Sequence, residues 1–236
     1  MINPFVAILP SAGLGERFNS DKPKQYSLIG SKTVMEFSLE PLLDFSECLG
    51  ICIPVSENDS YWKSLDIANN PKISFIEGGE TRLSSVQLAV NYWKSSSLDY
   101  MNILIHDSVR PCVRSSDIRA MLESFSISGD QGAILSSPVT DTLKEVYEID
   151  GYIKRTIDRK NLWKVFTPQI FEKRVLEEAF NNLKEEQNFT DESGMVEESF
   201  GKIKTYNGAP DNIKITFSED MNLAKSILIT QGRIAE

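Results

Sequence analysis

The stretch directly after the first apolar run carries the residue types that phosphate chemistry uses. Ser11-Ala-Gly-Leu-Gly-Glu-Arg17 is followed by Lys22-Pro-Lys-Gln-Tyr26. Gly13 and Gly15 let the backbone turn tightly and approach a ligand with no β-carbon in the way. Successive amide N–H groups in such a loop form an anion-binding concavity. Arg17, Lys22 and Lys24 add three cations to its rim. Backbone amides with concentrated positive charge suit a nucleoside triphosphate. Two familiar glycine loops are excluded: a Walker A loop needs a closing Gly-Lys-Ser/Thr, and the dinucleotide fingerprint needs glycine where Phe18 stands. A lone Gly-x-Gly would read as an ordinary strand-to-helix turn. The cations at 17 and 24, around a Pro-Lys pair, favour phosphate binding over that plainer reading.

Three more polar clusters stand at the ends of apolar runs. Gly78-Gly79-Glu80-Thr81-Arg82 precedes Ser84 and Ser85 at a helix start, where a simple turn with an N-cap explains the residues equally well. His106-Asp107-Ser-Val-Arg110-Pro111 ends the next run. A carboxylate there, beside a triphosphate loop, is a natural Mg²⁺ ligand, because Mg²⁺ takes one or two carboxylates plus phosphate oxygens. The competing reading of Asp107 is half of a surface Asp–Arg pair. Asp141-Thr142-x-Lys144 follows the fifth run. His106 is the only histidine, and its place at a strand end suggests a structural role. Cys48, Cys52 and Cys112 form no Cys-x-x-Cys pair, so a zinc cluster lacks ligands and the thiols are expected in the core.

The elements that must position these groups alternate along the chain. Strands are expected at 5–10, 49–55, 73–76, 101–105 and 132–135. Between them, Thr33-Val-Met-Glu36 forms a capping box for a helix presenting Met35, Leu39 and Leu42, with Pro41 as a candidate kink. Leu83, Val86, Val90 and Trp93 mark a second helical face, and Ile118, Met121, Leu122 and Phe125 a third. Wholly apolar strands separated by helices imply an α/β fold, Rossmann-like, with a mostly parallel sheet covered on both faces. The rhythm breaks at Pro138. Residues 139–170 read as a hairpin or arm leaving the body of a single domain spanning 1–236. A helix resumes around Val175–Leu183; strands are expected at 202–205 and 212–216, and Ser218, Glu219 and Asp220 suggest the cap of a last helix.

Bulk composition narrows the function classes. The 236 residues suffice for one good core. A net charge of −9 argues against a nucleic-acid surface, which needs a basic stripe. No apolar run reaches membrane-span length and no signal-peptide pattern opens the chain, so no membrane partner and a cytoplasmic location are expected.

In order and spacing, these clusters resemble the 2-C-methyl-D-erythritol 4-phosphate cytidylyltransferase (IspD) family. The likeness runs through the Ala12–Arg17 loop, Pro23-Lys-Gln-Tyr26, Gly78-Gly79 with Arg82 and Ser85-Val86, and Asp107-x-x-Arg110-Pro111. It continues through Asp141-Thr142-x-Lys144, Thr156-x-Asp158-Arg159, Leu162-Trp163, Thr167-Pro168-Gln169, Thr190-Asp191 and Asn212-x-Lys214-x-Thr216. The resemblance implies a nucleotidyltransferase-type fold, CTP and a polyol phosphate as substrates, and Mg²⁺ as cofactor. It implies Arg17, Lys24 and Lys214 as catalytic cations. Ala12, Gly13, Gly15, Gly79, Glu80 and Ser85 would be nucleotide contacts, and Asp107 the metal ligand. Arg110, Thr142, Arg159, Thr167 and Thr190 would surround the acceptor, with arms exchanged across a homodimer. Departures from the family pattern are Ser11, Phe166 and the run Glu192-Ser-Gly194; Gly194 should weaken the helix start after Asp191. Two rival readings are the same transfer to another acceptor such as ribitol 5-phosphate, and a non-catalytic nucleotide-binding protein of the same fold.

Overall fold

The computed structural model describes residues 1–13, 18, 22–184, 187, 189–200 (Phe200 by its backbone alone) and 202–235. In chain order its strands are β1 (Phe5–Ile8), β2 (Leu28–Ile29), β3 (Lys32–Thr33), β4 (Cys48–Val55), β5 (Ile73–Glu77), β6 (Asn102–Ile105) and β7 (Gly132–Pro138). They continue as β8 (Leu143–Val146), β9 (Ile153–Ile157), β10 (Trp163–Glu172) and β11 (Ile203–Asn207). The helices are α1 (Val34–Leu43), α2 (Arg82–Lys94), α3 (Ser115–Ser128), α4 (Lys173–Asn181), α5 (Glu192–Phe200) and α6 (Asp220–Thr230).

Among the described residues the central sheet has seven strands in the order β11-β7-β10-β6-β1-β4-β5. Pairs β1–β4, β1–β6, β4–β5 and β7–β11 are parallel. Only β10 runs antiparallel, between β6 and β7. Side chains alternate across each strand. Phe5, Ala7, Leu9 and Leu104 therefore enter one core with Leu39 of α1 and Leu122 and Phe125 of α3. Val6, Ile8, Ile103 and Ile105 enter a second core with Val86 and Trp93 of α2 and Leu176 of α4. The expected sheet covered on both faces is what these two cores build.

Local chemistry explains the helix starts. Thr33 accepts from the Glu36 amide while the Glu36 carboxylate accepts from the Thr33 amide, the reciprocal box expected at α1. Pro41 has no N–H for the carbonyl of Phe37 four residues back, and Arg233 Nη2 donates to that oxygen at 2.6 Å.

Three expectations are corrected. The arm is shorter than 139–170, because Trp163–Glu172 returns to the middle of the sheet as β10. What leaves the body is the β8–β9 hairpin and its flanks. Residues 212–216 form no strand; Ile215 N instead donates singly to Val109 O at 2.9 Å. Before α6, the Asp220 carboxylate turns back to accept from the amides of Thr216 and Phe217, and no side chain caps the helix at Glu219. Among the described residues no helix is long and apolar enough to cross a membrane.

Candidate active site

In an open α/β sheet ligands sit beyond the carboxyl ends of the strands, where the strand order reverses. Here the chain steps from β1 outward to β4 and β5, then returns to β6 on the other side of β1. The crevice between the ends of β1 and β6 is a cleft of about 290 Å³. Its walls include Ala12, Gly13, Lys24, Gly79, Asp107 and Lys214.

After β1 the backbone stays against β4, with Ser11 N donating to Pro54 O at 2.9 Å. The Lys24–Tyr26 segment is a single helical turn fastened at two points. Gln25, buried, donates through Nε2 to Ser11 O at 2.8 Å, gripping the start of the glycine loop. Tyr26 donates to Asp59 Oδ2 at 2.7 Å, and its ring packs 5.4 Å from that of Tyr61. This seating aims Lys24 across the cleft, where Nζ donates to Ile215 O at 2.8 Å. Beyond β5 the turn must pass close to the glycine loop. A β-carbon on Gly78 would fall 2.7 Å from Ala12 Cβ, so glycine is required there. Thr81 and Ser84 then cap α2 reciprocally, and Ser85 Oγ, buried, accepts from Gly79 N at 3.1 Å.

Asp107 is the electrostatic centre. Its Oδ1 accepts from Arg82 Nε at 3.1 Å. Its Oδ2 lies 3.2 Å from Arg110 Nε and 3.0 Å from Lys214 Nζ. Burial alone would raise the carboxyl's pKa; Arg82, Lys214 and Arg110 together outweigh it and hold the group well below the usual carboxylate range. Arg82 also donates through Nη1 to Glu192 Oε1 at 2.6 Å. Burial works against the guanidinium's charge, and the two carboxylates outweigh burial. Burial pushes the Glu192 carboxyl up, Arg82 opposing. Behind Asp107, its amide donates to Thr167 Oγ1 at 2.9 Å, and that hydroxyl lies 2.9 Å from His106 Nδ1. His106 is fully buried, which pushes its pKa down to about 4. Its burial and its Nδ1 contact fit the structural role expected for this histidine, while among the described residues its Nε2 has no hydrogen-bond partner. Asn212 joins the layers: Nδ2 donates to Thr167 O at 2.9 Å, and its carbonyl accepts from Arg110 Nη1 at 2.8 Å.

The structure therefore brings together Ala12, Gly13, Lys24, Gly79, Glu80, Ser85, Asp107 and Lys214 around one cleft, with Arg110 and Thr167 bonded to Asp107. Gly15 and Arg17 lie outside the described residues. Thr142 and Arg159 are not brought to this cleft. Both are exposed on or beside the β8–β9 arm, where Arg159 donates to Thr140 O. Thr190 is exposed just before Asp191, whose Oδ1 caps α5 by accepting from Gly194 N at 3.1 Å. Sequence reading gave no task to Arg82 beyond its motif and none to Glu192. Arg82 sits in the Gly-Gly-Glu-Thr-Arg run, whereas nothing local marks a glutamate that meets it from 110 positions away.

Comparison with known proteins agrees with this architecture from end to end. Residues 5–230 match the model of the 2-C-methyl-D-erythritol 4-phosphate cytidylyltransferase family. The chain is 37% identical over 230 residues to the Photobacterium profundum protein of that name, covering 95% of this chain and 96% of the relative. A solved 4-diphosphocytidyl-2C-methyl-D-erythritol synthase superposes with a TM-score of 0.81 at 29% identity, covering 97% of this chain and 99% of the other. The Francisella tularensis 2-C-methyl-D-erythritol 4-phosphate cytidylyltransferase superposes at 0.78 with 29% identity, over 95% and 100%. With a family model spanning nearly the whole chain and relatives of matching length, this chain belongs to the 2-C-methyl-D-erythritol 4-phosphate cytidylyltransferase family.

Proposed function

We propose that this chain transfers CMP from CTP to 2-C-methyl-D-erythritol 4-phosphate, releasing pyrophosphate and 4-diphosphocytidyl-2-C-methyl-D-erythritol, in non-mevalonate isoprenoid biosynthesis in the cytoplasm. The observation that carries this reading is the Asp107 cluster. Arg82, Arg110 and Lys214 surround one buried carboxylate at the strand ends, with Lys24 lining the same cleft. A triphosphate entering there meets the backbone at Ala12 and Gly13 together with the ammonium groups of Lys24 and Lys214.

The acceptor's phosphate oxygen attacks the α-phosphorus in line; a P–O bond forms as the bond to pyrophosphate breaks. The attacking phosphate is already ionised near neutral pH and needs no base, which suits a site whose one histidine is buried and pushed down in pKa. Negative charge builds on the α-phosphoryl oxygens and the departing pyrophosphate. Lys24 and Lys214, with Arg17 from the glycine loop, are the groups we assign to stabilise it.

For Mg²⁺, the donor set fits an ion that arrives on the triphosphate. Asp107 Oδ1 accepts one hydrogen bond and retains a lone pair, while Oδ2 is already shared by two cations. Among the described residues no group of three or more His, Cys, Asp or Glu could hold a metal by itself. When bound, Mg²⁺ would neutralise phosphate charge. Asp107 would orient it, and Arg82 and Arg110 keep Asp107 ionised.

Thr142 and Arg159 gain a use if the arm reaches a second copy's cleft. The arm exposes apolar side chains that a monomer leaves in water: Ile149, Tyr152 at 72% and Ile153 at 63%. We assign it to a homodimer in which each arm completes the partner's acceptor pocket.

An acceptor panel followed by ³¹P NMR tests the reading. With CTP and Mg²⁺, 2-C-methyl-D-erythritol 4-phosphate should give a new pyrophosphate-linked product and free pyrophosphate, and ribitol 5-phosphate far less. Equal or better turnover of ribitol 5-phosphate would move the assignment to that acceptor. Bound CTP with no turnover on any acceptor would favour a binding protein.

A further inference from the structure

Glu192 is a costly residue where it stands. It is fully buried, and among the described residues its Oε2 has no hydrogen-bond partner. An unsatisfied buried carboxylate oxygen is expensive. Helix α5 does not need it, since Asp191 supplies the cap through Oδ1 and also accepts from Gln169 Nε2 at 2.8 Å. Glu192 Oε1 accepts from Arg82 Nη1 at 2.6 Å.

Arg82 in turn spans two carboxylates, giving Nη1 to Glu192 and Nε to Asp107 Oδ1. A guanidinium is rigid and planar, so fixing one N–H edge fixes where the other points. Arg82 also lines the cleft and is only partly buried, with 29% of its side chain exposed. A cation in that position can turn toward incoming phosphate unless something holds it back. We propose that Glu192 is a positioning residue that clamps Arg82 onto Asp107 Oδ1 and off the triphosphate, so that Asp107 keeps the orientation the transfer step requires. The inference rests on the proposed cytidylyl transfer at this cleft.

Without the Glu192 charge, Arg82 is bound by one carboxylate instead of two and is drawn to phosphate in the ground state. Ground-state binding of that kind does not lower the barrier, so the loss falls on kcat and not on the KM for CTP. Glu192→Gln keeps shape and an acceptor oxygen but removes the charge. It should melt as a folded protein and lose roughly 10-fold or more in kcat, with KM for CTP unchanged or lower. Arg82→Gln should lose kcat similarly. The double variant should be no worse than the worse single one, because the two residues act as a unit. Should Glu192→Gln fail to fold, Arg82→Lys carries the test. An ammonium lacks the fork that bridges two carboxylates, so kcat should still fall.

Wild-type pyrophosphate release is measured first, and an inactive wild type overturns both the function and this inference. With an active wild type, any of three results overturns the clamp alone. These are wild-type kcat in folded Glu192→Gln or Arg82→Lys, a raised KM for CTP at unchanged kcat, or single-variant losses that multiply in the double variant.

Discussion

The charges around Asp107 predict how the protein should respond to chelation. One carboxylate, already holding Arg82, Arg110 and Lys214, is a poor resident metal site, so the ion contributes through the triphosphate and not through the fold. Excess EDTA should abolish turnover, and added Mg²⁺ should restore it. The thermal melting temperature should not move, unlike that of a protein folded around its metal. A melting temperature that falls with EDTA would show a resident structural ion. Full turnover in EDTA would remove the metal from the reaction. At this scale Lys24, Arg110 and Asp107 stood out in the sequence because their types and positions after apolar runs are local signals, whereas Lys214 entered only through the family resemblance. The sequence could not reveal Glu192, whose meaning depends on a contact 110 positions away. Nor did it show that the Asp107–Arg110 pair is an inward-facing part of a three-cation cluster.

At the scale of elements, α5 offers a clean stability test. Gly194 was expected to weaken the helix start. A β-carbon there would meet Asp191 Oδ1 and Phe189 Cδ1 at 3.5 Å, ordinary contact distance. Its amide already serves the Asp191 cap, and alanine would keep that bond. Gly194→Ala should therefore stabilise the protein by about 0.5–1 kcal/mol, read from chemical denaturation, by reducing the freedom of the unfolded chain. A loss of stability would mean that the site is tighter than its geometry indicates. Strands β1, β4 and β6 were legible because parallel strands buried on both faces are continuous apolar runs. Strand β10 was not. Its first residues, Trp163–Val165, are exposed and continue the composition of the arm, while Phe166–Phe171 are buried. Its place between β6 and β7 is a long-range pairing that no local pattern encodes. Residues 212–216 misled in the opposite sense. Their alternating apolar side chains reflect docking of a loop, with Lys214 delivered to Asp107 and Ile215 turned into the core.

For the whole molecule, the question is where Thr142 and Arg159 act, since neither lines the cleft of its own chain. If the arms exchange, Lys24→Ala chains and Arg159→Glu chains should complement each other when refolded together. Random pairing makes half the dimers mixed, and one of the two sites in each mixed dimer is intact. About a quarter of wild-type activity should return. No recovery despite verified chain exchange, with each variant inactive alone, would place Arg159 at its own chain's site and exclude the shared one.

The central claim is that the cleft around Asp107 performs cytidylyl transfer with aimed ammonium groups and no covalent or basic catalyst. Steady-state pyrophosphate release from CTP and 2-C-methyl-D-erythritol 4-phosphate, compared between the wild type and the folded Lys24→Ala and Lys214→Ala variants, tests it most directly. Both lysines line the cleft, and loss of one aimed donor costs roughly 10²–10³ in rate. The account predicts an active wild type and a loss of that size in each variant, with circular dichroism unchanged. Near-wild-type turnover in either folded variant would contradict it.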